Sequence, residues 1–582
     1  MPGHHARSAR LLPWGDLSTG ALSLARDLPI VVSGLALFYG LLSLARYWTG
    51  PLNTQPAISL SPWALPRYAL FSLARLTIAY LVSLLVTLVY AWVAAHYRKA
   101  ERLMIPLLDT LQSIPVLSFL PGVMVSMATL FPTRQLGVEM GSILLIFTGQ
   151  AWNMTFSVYS SMKSIPREML EASQVYRLTP WQRFMQLELP YSAIGLVWNS
   201  MMSVAGGWFF LMPCEMFVLN SRDLRLPGLG SYLQTAANAG DTPAILWGVA
   251  AMIAVVVLLD QAVWRPVIAW SEKFKFEQVE SAHAPRSPIL DVLRRSPVLA
   301  RVSAATVDPV YEAITLRLAR RSARQPAAAR APALRRWLGA AVGGAALLAL
   351  LYAIAGMGKM LAGLGAADLR AILAGAGSTF LRVELTLVLA GLWTIPLGVW
   401  AGLNPRIAAA VQPLAQIAAS VPATALFPIV LLVLIRWGGG LGIASIVLLL
   451  MGTQWYILFN VIAGAMAIPT DLLEVCAIYR LGRLDRWRKL LLPAIFPYLL
   501  TGFVTASGGA WNASILAEYF HLHGRVFSVT GLGATISAAT DSGNLPLLYG
   551  ATIVMVLMVV TINRLLWRRL YVLAQTRYKL ES

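Results

Sequence analysis

EASQVYRLTPWQRFMQLELP, residues 171–190, is answered 303 residues later by EVCAIYRLGRLDRWRKLLLP, residues 474–493. The two stretches share Glu171 and Glu474, Tyr176-Arg177-Leu178 and Tyr479-Arg480-Leu481, and a closing Pro190 and Pro493. Each starts after Ile-Pro, at Ile165-Pro166 and Ile468-Pro469. Each closing proline opens an apolar run, a place that suits proline because the first N–H groups of a helix have no partner within it. Both stretches are amphipathic. A break at Leu178-Thr179-Pro180 or at Leu481-Gly482 predicts two short helices in each.

The shared register extends well beyond these loops. At the same offset Gly206, Trp208 and Glu215 align with Gly509, Trp511 and Glu518. Gly228-Leu229-Gly230 aligns with Gly531-Leu532-Gly533, Gly240 and Pro243 with Gly543 and Pro546, and Trp264-Arg265 with Trp567-Arg568. Upstream, at offset 307, Arg75 aligns with Arg382, Pro106 with Pro413, Pro115 with Pro422 and Pro121 with Pro428. Chance does not produce such agreement in Trp, Pro, Gly and Glu. The chain is an internal repeat.

Composition identifies the solvent of this repeat. Of 582 residues, 58% are hydrophobic and only 12% are charged, half the share of an ordinary soluble domain. Apolar runs of membrane-spanning length fall at 28–47, 70–95, 106–130, 139–161, 191–219 and 244–268, then at 337–356, 378–402, 408–435, 440–465, 494–517 and 547–568. Prolines in 106–130 and 408–435 are expected to break those runs. Six spans per copy is an even number, so the copies have the same topology and are parallel repeats. The expected fold is an all-α polytopic membrane protein of two parallel six-helix repeats, about twelve spans. Its parts are an N-terminal segment 1–27, a first domain 28–268, a linker 269–336 and a second domain 337–582. The N-terminal segment lacks the apolar core of a cleavable signal, and the linker is predicted to hold a little helix around Val307–Arg321.

The net charge of +20 is carried mostly by the segments that alternate with the spans on one side. That is the positive-inside pattern, and it places both termini and both quoted loops in the cytoplasm. It also accounts for the charge without nucleic acid. Cys214 and Cys476 occupy unrelated positions, so neither a disulfide framework nor a zinc site is expected. GMGK at 356–359 lacks the spacing and the following hydroxyl of a phosphate-binding loop. His521 and His523 read as loop residues.

The quoted loops resemble the signature loop of the inner-membrane permeases of ABC importers: Glu-Ala-Ala, three residues, Gly, then about a dozen residues to Leu-Pro. Glu171, Ala172, Phe184, Leu187, Leu189 and Pro190 fit that pattern, as do Glu474, Leu490, Leu492 and Pro493. Ser173, Val475 and Cys476 depart from it, and Arg177 and Arg480 stand where the family has glycine. Ser-Ile-Pro and Ser-Val-Pro before the third span, Trp in the fifth spans and the Gly-Leu-Gly after them resemble the nitrate, sulfonate and taurine subgroup.

The resemblance implies a type I ABC importer permease fold in a bacterial inner membrane, surrounded by lipid. It implies coupling of Glu171, Tyr176, Arg177, Leu178, Glu474, Tyr479, Arg480 and Leu481 to two nucleotide-binding ATPase subunits, which as a homodimer would present one surface twice. It also implies a periplasmic solute-binding protein and a small, mostly anionic solute. ATP and Mg would then be used by the ATPase partner, with no catalysis and no cofactor on this chain.

Charges inside spans are costly and mark either structure or function. Arg75, Arg382, Glu215 and Glu518 are expected to meet near the outer mouth, either as Arg–Glu pairs or with the arginines receiving an anion. Trp208 and Trp511 are candidates to line the pathway, against the alternative of packing in the core. A major-facilitator type secondary transporter is the rival for a twelve-span parallel repeat. Its charged loop between the second and third spans is missing here, since HYRKAER at 96–102 has no match in LNPRIAA at 403–409.

Overall fold

The computed structural model describes residues 46–51, 57–219, 222–274, 288–295, 303–307, 361–438, 440–522 and 525–577, with scattered positions elsewhere. By internal contacts the chain divides into a smaller unit, residues 1–46, 166–194 and 262–329, and a larger one, 47–165, 195–261 and 330–582.

The first repeat contains α1 (Leu65–His96), α2 (Arg98–Ser113), α3 (Leu120–Leu130), α4 (Leu136–Lys163), α5 (Arg167–Val175), α6 (Pro180–Arg183), α7 (Leu189–Glu215), α8 (Leu229–Ala239) and α9 (Thr242–Leu259). The second contains α10 (Ala366–Gly402), α11 (Pro405–Ser420), α12 (Ala423–Arg436), α13 (Leu441–Met466), α14 (Thr470–Ile478), α15 (Arg483–Arg486), α16 (Leu492–Ala517), α17 (Leu532–Ser542) and α18 (Leu545–Ile562). Element follows element in the same order. A small antiparallel hairpin also follows α7 and α16: β1 (Val218–Leu219) with β2 (Arg222–Asp223), and β3 (Tyr519–Leu522) with β4 (Arg525–Ser528). His521 therefore lies in a strand and not in the loop expected of it; His523 is outside the described residues.

Seven described helices are long and apolar enough to cross a bilayer. The segments Arg98–Gln112 and Val116–Leu130 make an eighth span if counted together, bent by 84°. The bend sits where proline predicts it. Ile114 before Pro115 and Val421 before Pro422 are extended, the conformation that a following proline ring imposes. The run 408–435 thus becomes α11 and a short α12 of 14 residues. The run at 139–161 is α4, a 28-residue helix that carries Glu139, Gln150, Asn153 and Lys163. Most of the expected spans 28–47 and 337–356, the segment 1–27 and most of the linker lie outside the described residues.

Within the larger unit α1 packs along α4, and α10 and α16 pack along α13. Hydroxyls bind these helices where apolar contact alone would not fix their register. Thr87 Oγ1 donates to the Ala151 carbonyl and lies 3.1 Å from Thr155 Oγ1. The repeated Gly-x-x-Pro has a local cause. Gly240 and Gly543 end α8 and α17 in the left-handed region, at φ 71° and 69°. Asp241 and Asn544 then cap α9 and α18 through their side-chain oxygens, and the proline follows at the start of each helix.

Candidate functional site

Each quoted loop folds as the break signal predicted. The first runs α5, a turn, then α6 and a π-helical turn at Phe184–Glu188 into α7. The second runs α14, a turn, then α15 and a π-helical turn at Trp487–Leu491 into α16. The turn explains the missing glycine. Arg177 and Arg480 both have φ 50° and are the described non-glycine residues with positive φ. In the first loop Leu178 N–H donates to the Ser173 carbonyl at 3.0 Å and Arg177 N–H to the Gln174 carbonyl at 2.9 Å. This pair of bonds is a Schellman helix stop with arginine in the position that favours glycine. Leu481 N–H repeats the longer bond, to Cys476, at 3.0 Å. A turn of the kind glycine favours is therefore formed, at the cost of holding a side chain in a left-handed backbone.

The residues just before each turn are apolar and exposed. Val175 and Tyr176 are 79% and 78% exposed, and Ile478 and Tyr479 are 76% and 75% exposed. Glu171, Glu474, Arg177 and Arg480 are exposed too, whereas Leu178 and Leu481 are half-buried under their turns. Each loop thus presents an apolar knuckle flanked by an arginine.

In the larger unit the intramembrane charges form one cluster per repeat. Arg75 is wholly buried. Its Nε and Nη2 donate to Glu139 Oε2 and Oε1 at 2.6 and 2.8 Å, and its Nη1 donates to Glu215 Oε1 at 2.8 Å and to the Pro227 carbonyl at 2.9 Å. Ser72 Oγ donates to Glu215 and accepts from Leu229 N–H, while Gly230 N–H donates to Glu215 Oε2 at 2.7 Å. The second repeat copies this with Arg382 Nη1 on Glu518, Thr379 Oγ1 donating to Glu518 at 2.8 Å, and Gly533 N–H on Glu518 Oε2 at 2.8 Å. Arg382 Nη2 donates to the Thr530 carbonyl.

The expected Arg–Glu pairs therefore form, within repeats. The Gly-Leu-Gly motif now has a reason. A Cβ on Gly228 or Gly531 would run into the carboxylate of Glu215 or Glu518. The carboxylate rests against bare backbone and takes an N–H from the first turn of α8 or α17, the end of a helix that favours negative charge. Sequence reasoning missed three members. Ser72 and Thr379 align at the 307 offset and are both hydroxylated, a usable signal. Glu139 has no partner in the repeat, since α13 carries no charged residue at all.

Trp208 and Trp511 are buried, each 1% exposed, and pack in the interior. The glycine that allows close approach in the first repeat is not the aligned Gly206, beside which a Cβ would meet nothing, but Gly207, where it would meet Gln150 and Leu76.

A cavity of about 460 Å³ lies in the larger unit. Matching residues of both repeats line it: Met216 and Tyr519, Phe217 and Phe520, Val218 and His521, Asn238 and Asp541. The cavity therefore straddles the pseudo-axis between the copies. Both repeats give it polar groups, Arg225, Gln234 and Asn238 from the first and Tyr519, His521 and Asp541 from the second. Tyr519 Oη donates to Asp541 Oδ2 at 2.7 Å, and His521 Nε2 lies 3.4 Å from the same oxygen. Burial, together with the Asp541 carboxylate, raises the Tyr519 hydroxyl well above its usual range. Among the described residues no cluster of three His, Cys, Asp or Glu could hold a metal ion.

Two helical repeats enclosing a cavity on their shared axis, each with an exposed helix–turn–helix loop, define a membrane permease. The model of the family "Binding-protein-dependent transport system inner membrane component" matches residues 83–261 and again 394–576. The chain belongs to that family and carries its domain twice. Over 163 residues, 28% of the chain and 55% of the relative, it is 33% identical to the nitrate import permease protein NrtB of Leptolyngbya laminosa. Over 137 residues, 24% of the chain and 48% of the relative, it is 31% identical to the bicarbonate transport system permease protein CmpB of Synechococcus elongatus. The chain spans about half the length of these curated relatives.

Proposed function

We propose that this chain supplies both permease halves of an ATP-driven ABC importer of the bacterial inner membrane, and that solute passes through the cavity between its repeats. The observation that carries this reading is the cavity wall, built from equivalent positions of the two copies. The domains are 28–268 and 337–582, the linker 269–336 joins them in the cytoplasm, and both termini are cytoplasmic.

The exposed knuckles at Val175-Tyr176 and Ile478-Tyr479 are the surfaces on which two nucleotide-binding subunits dock, with Glu171, Arg177, Leu178, Glu474, Arg480 and Leu481 around them. Because both turns hold arginine in one backbone conformation, the two docking surfaces match, as a homodimeric ATPase requires. ATP and Mg are used there, and the chain itself binds no cofactor and catalyses no reaction. A binding protein delivers the solute, small and anionic like those in the relatives' names. Glu215 and Glu518, with Arg75 and Arg382, hold the loop behind the cavity wall, and Trp208 and Trp511 brace the helices that carry it.

The test uses the permease with its ATPase in proteoliposomes. Charge reversal by R177E together with R480E is expected to leave ATP hydrolysis running while uptake stops. Unaltered coupling in that double variant overturns the role given to the loops. Uptake that persists without the ATPase but collapses with the proton gradient would instead establish a secondary transporter.

A further inference from the structure

The repeat contains its own control for what an intramembrane guanidinium binds. In the first copy all three nitrogens of Arg75 are occupied, and the Nε–Nη2 edge holds Glu139 as a two-point fork. In the second copy Arg382 Nη1 holds Glu518, and the Thr530 carbonyl, which matches that of Pro227, takes one N–H of Nη2 and not of Nη1. Its Nε has no partner among the described residues.

The residue aligned with Glu139 at offset 303 is Gly442, and a Cβ built there would meet nothing within 4 Å. No other residue of α13 is charged, so no acid one turn away replaces it. Glu384 lies two residues along α10, about 200° around the helix from Arg382. The side chain of Arg382 is 13% exposed, where that of Arg75 is 0% exposed. The same scaffold thus has a carboxylate on the fork in one copy, and in the other a glycine at the aligned position and a partly exposed guanidinium.

We propose that the open edge of Arg382 is a binding site for an oxyanion, which takes the place that Glu139 fills in the first repeat. A guanidinium edge presents two parallel N–H donors, which matches the oxygens of a carboxylate, nitrate or phosphate group. The charge of the filled site has a precedent in the structure. Arg75 with Glu139 and Glu215 sums to one negative charge, and Arg382 with Glu518 reaches the same sum only when an anion binds. The ion-pair geometry is the same whichever solute is transported.

Two sources can supply the oxyanion. Twenty residues separate Arg382 from the end of α10 at Gly402, about 30 Å of helix and so about one hydrocarbon thickness. Arg382 is therefore within reach both of free anions and of lipid phosphate.

The decisive variant is Gly442→Glu, which should rebuild the missing fork partner from within. The purified full chain is melted in acetate, then in nitrate, against chloride at constant ionic strength. Wild type is expected to gain stability with either anion. Gly442→Glu should melt no lower than wild type and bind the anion about tenfold more weakly or worse. Arg382→Lys, which keeps the charge and the Glu518 pair but has no Nε, should lose the response as well and guards against misfolding of the first variant. In a parallel arm, native mass spectrometry counts phosphatidylglycerol retained on each protein. A response to lipid alone, lost in both variants, assigns the site to a headgroup. If neither the free anions nor the lipid distinguishes wild type from the two variants, water alone solvates Arg382 and the proposal fails.

Discussion

At the scale of single residues, the structure turns an expectation about four charges into a statement about which of them is indispensable. Arg75 is buried against two carboxylates, so Arg75→Gln leaves Glu139 and Glu215 without a countercharge in a dry interior. Breaking a buried pair from one side costs about 3–5 kcal/mol, and the variant should show a large fall in melting temperature or in folded yield. A variant that melts like wild type contradicts the fully paired cluster. The arginines of the turns should behave in the opposite way. An L-residue in the left-handed region costs about 1–2 kcal/mol, part of which glycine returns as unfolded-state entropy. Arg177→Gly and Arg480→Gly should therefore each stabilise the chain by up to about 1 kcal/mol, read as an upward shift in thermal unfolding. Arg75, Arg382, Glu215 and Glu518 were all legible in the sequence because they repeat. Glu139 was not, because a search that trusts repetition discards whatever one copy alone possesses.

At the scale of elements, the repeated punctuation was legible while its purpose was not. Proline placed the breaks at Pro115 and Pro422, and glycine placed the ends of α8 and α17, because both act on the local backbone. Gly-Leu-Gly looked like a family marker. Its reason is a carboxylate arriving from α7 or α16, a contact between elements that no local rule predicts. It yields a steric test. Gly228→Ala or Gly531→Ala puts a methyl where the Glu215 or Glu518 carboxylate lies, so the loop must shift and the N–H bond from Gly230 or Gly533 must lengthen. Each variant should be destabilised and slow in uptake, whereas Gly206→Ala, with open space around its Cβ, should match wild type in both. Equal behaviour of all three would remove the packing role of the motif. The loop knuckles have the reverse signature. Tyr176→Ser with Tyr479→Ser removes exposed rings that support no core, so melting should be unchanged while affinity for the ATPase falls. Retained affinity in a pull-down with purified ATPase would show that docking lies elsewhere.

At the scale of the whole chain, duplication accounts for what the copies share, and divergence accounts for the chemistry. Folding requirements keep the helix order, the breaks, the carboxylate seats and the turns the same in both. At the cavity that constraint is absent, and the copies differ. Met216, Val218 and Asn238 face the second repeat's Tyr519, His521 and Asp541. A homodimer of single-domain permeases must place identical groups on both walls, whereas a fused chain can place different polar groups on each, here Arg225 and Gln234 on one and Tyr519, His521 and Asp541 on the other. If solute passes there, the distance between the walls must change in each cycle. Val218 and His521 occupy equivalent places on opposite walls, and the native Cys214 and Cys476 are buried. A Val218→Cys, His521→Cys double variant treated with a short bis-methanethiosulfonate should lose uptake and regain it on reduction. Either single variant with the same reagent should retain most of its activity. Full uptake after complete cross-linking would take the cavity out of the pathway and leave the shared axis a purely structural seam.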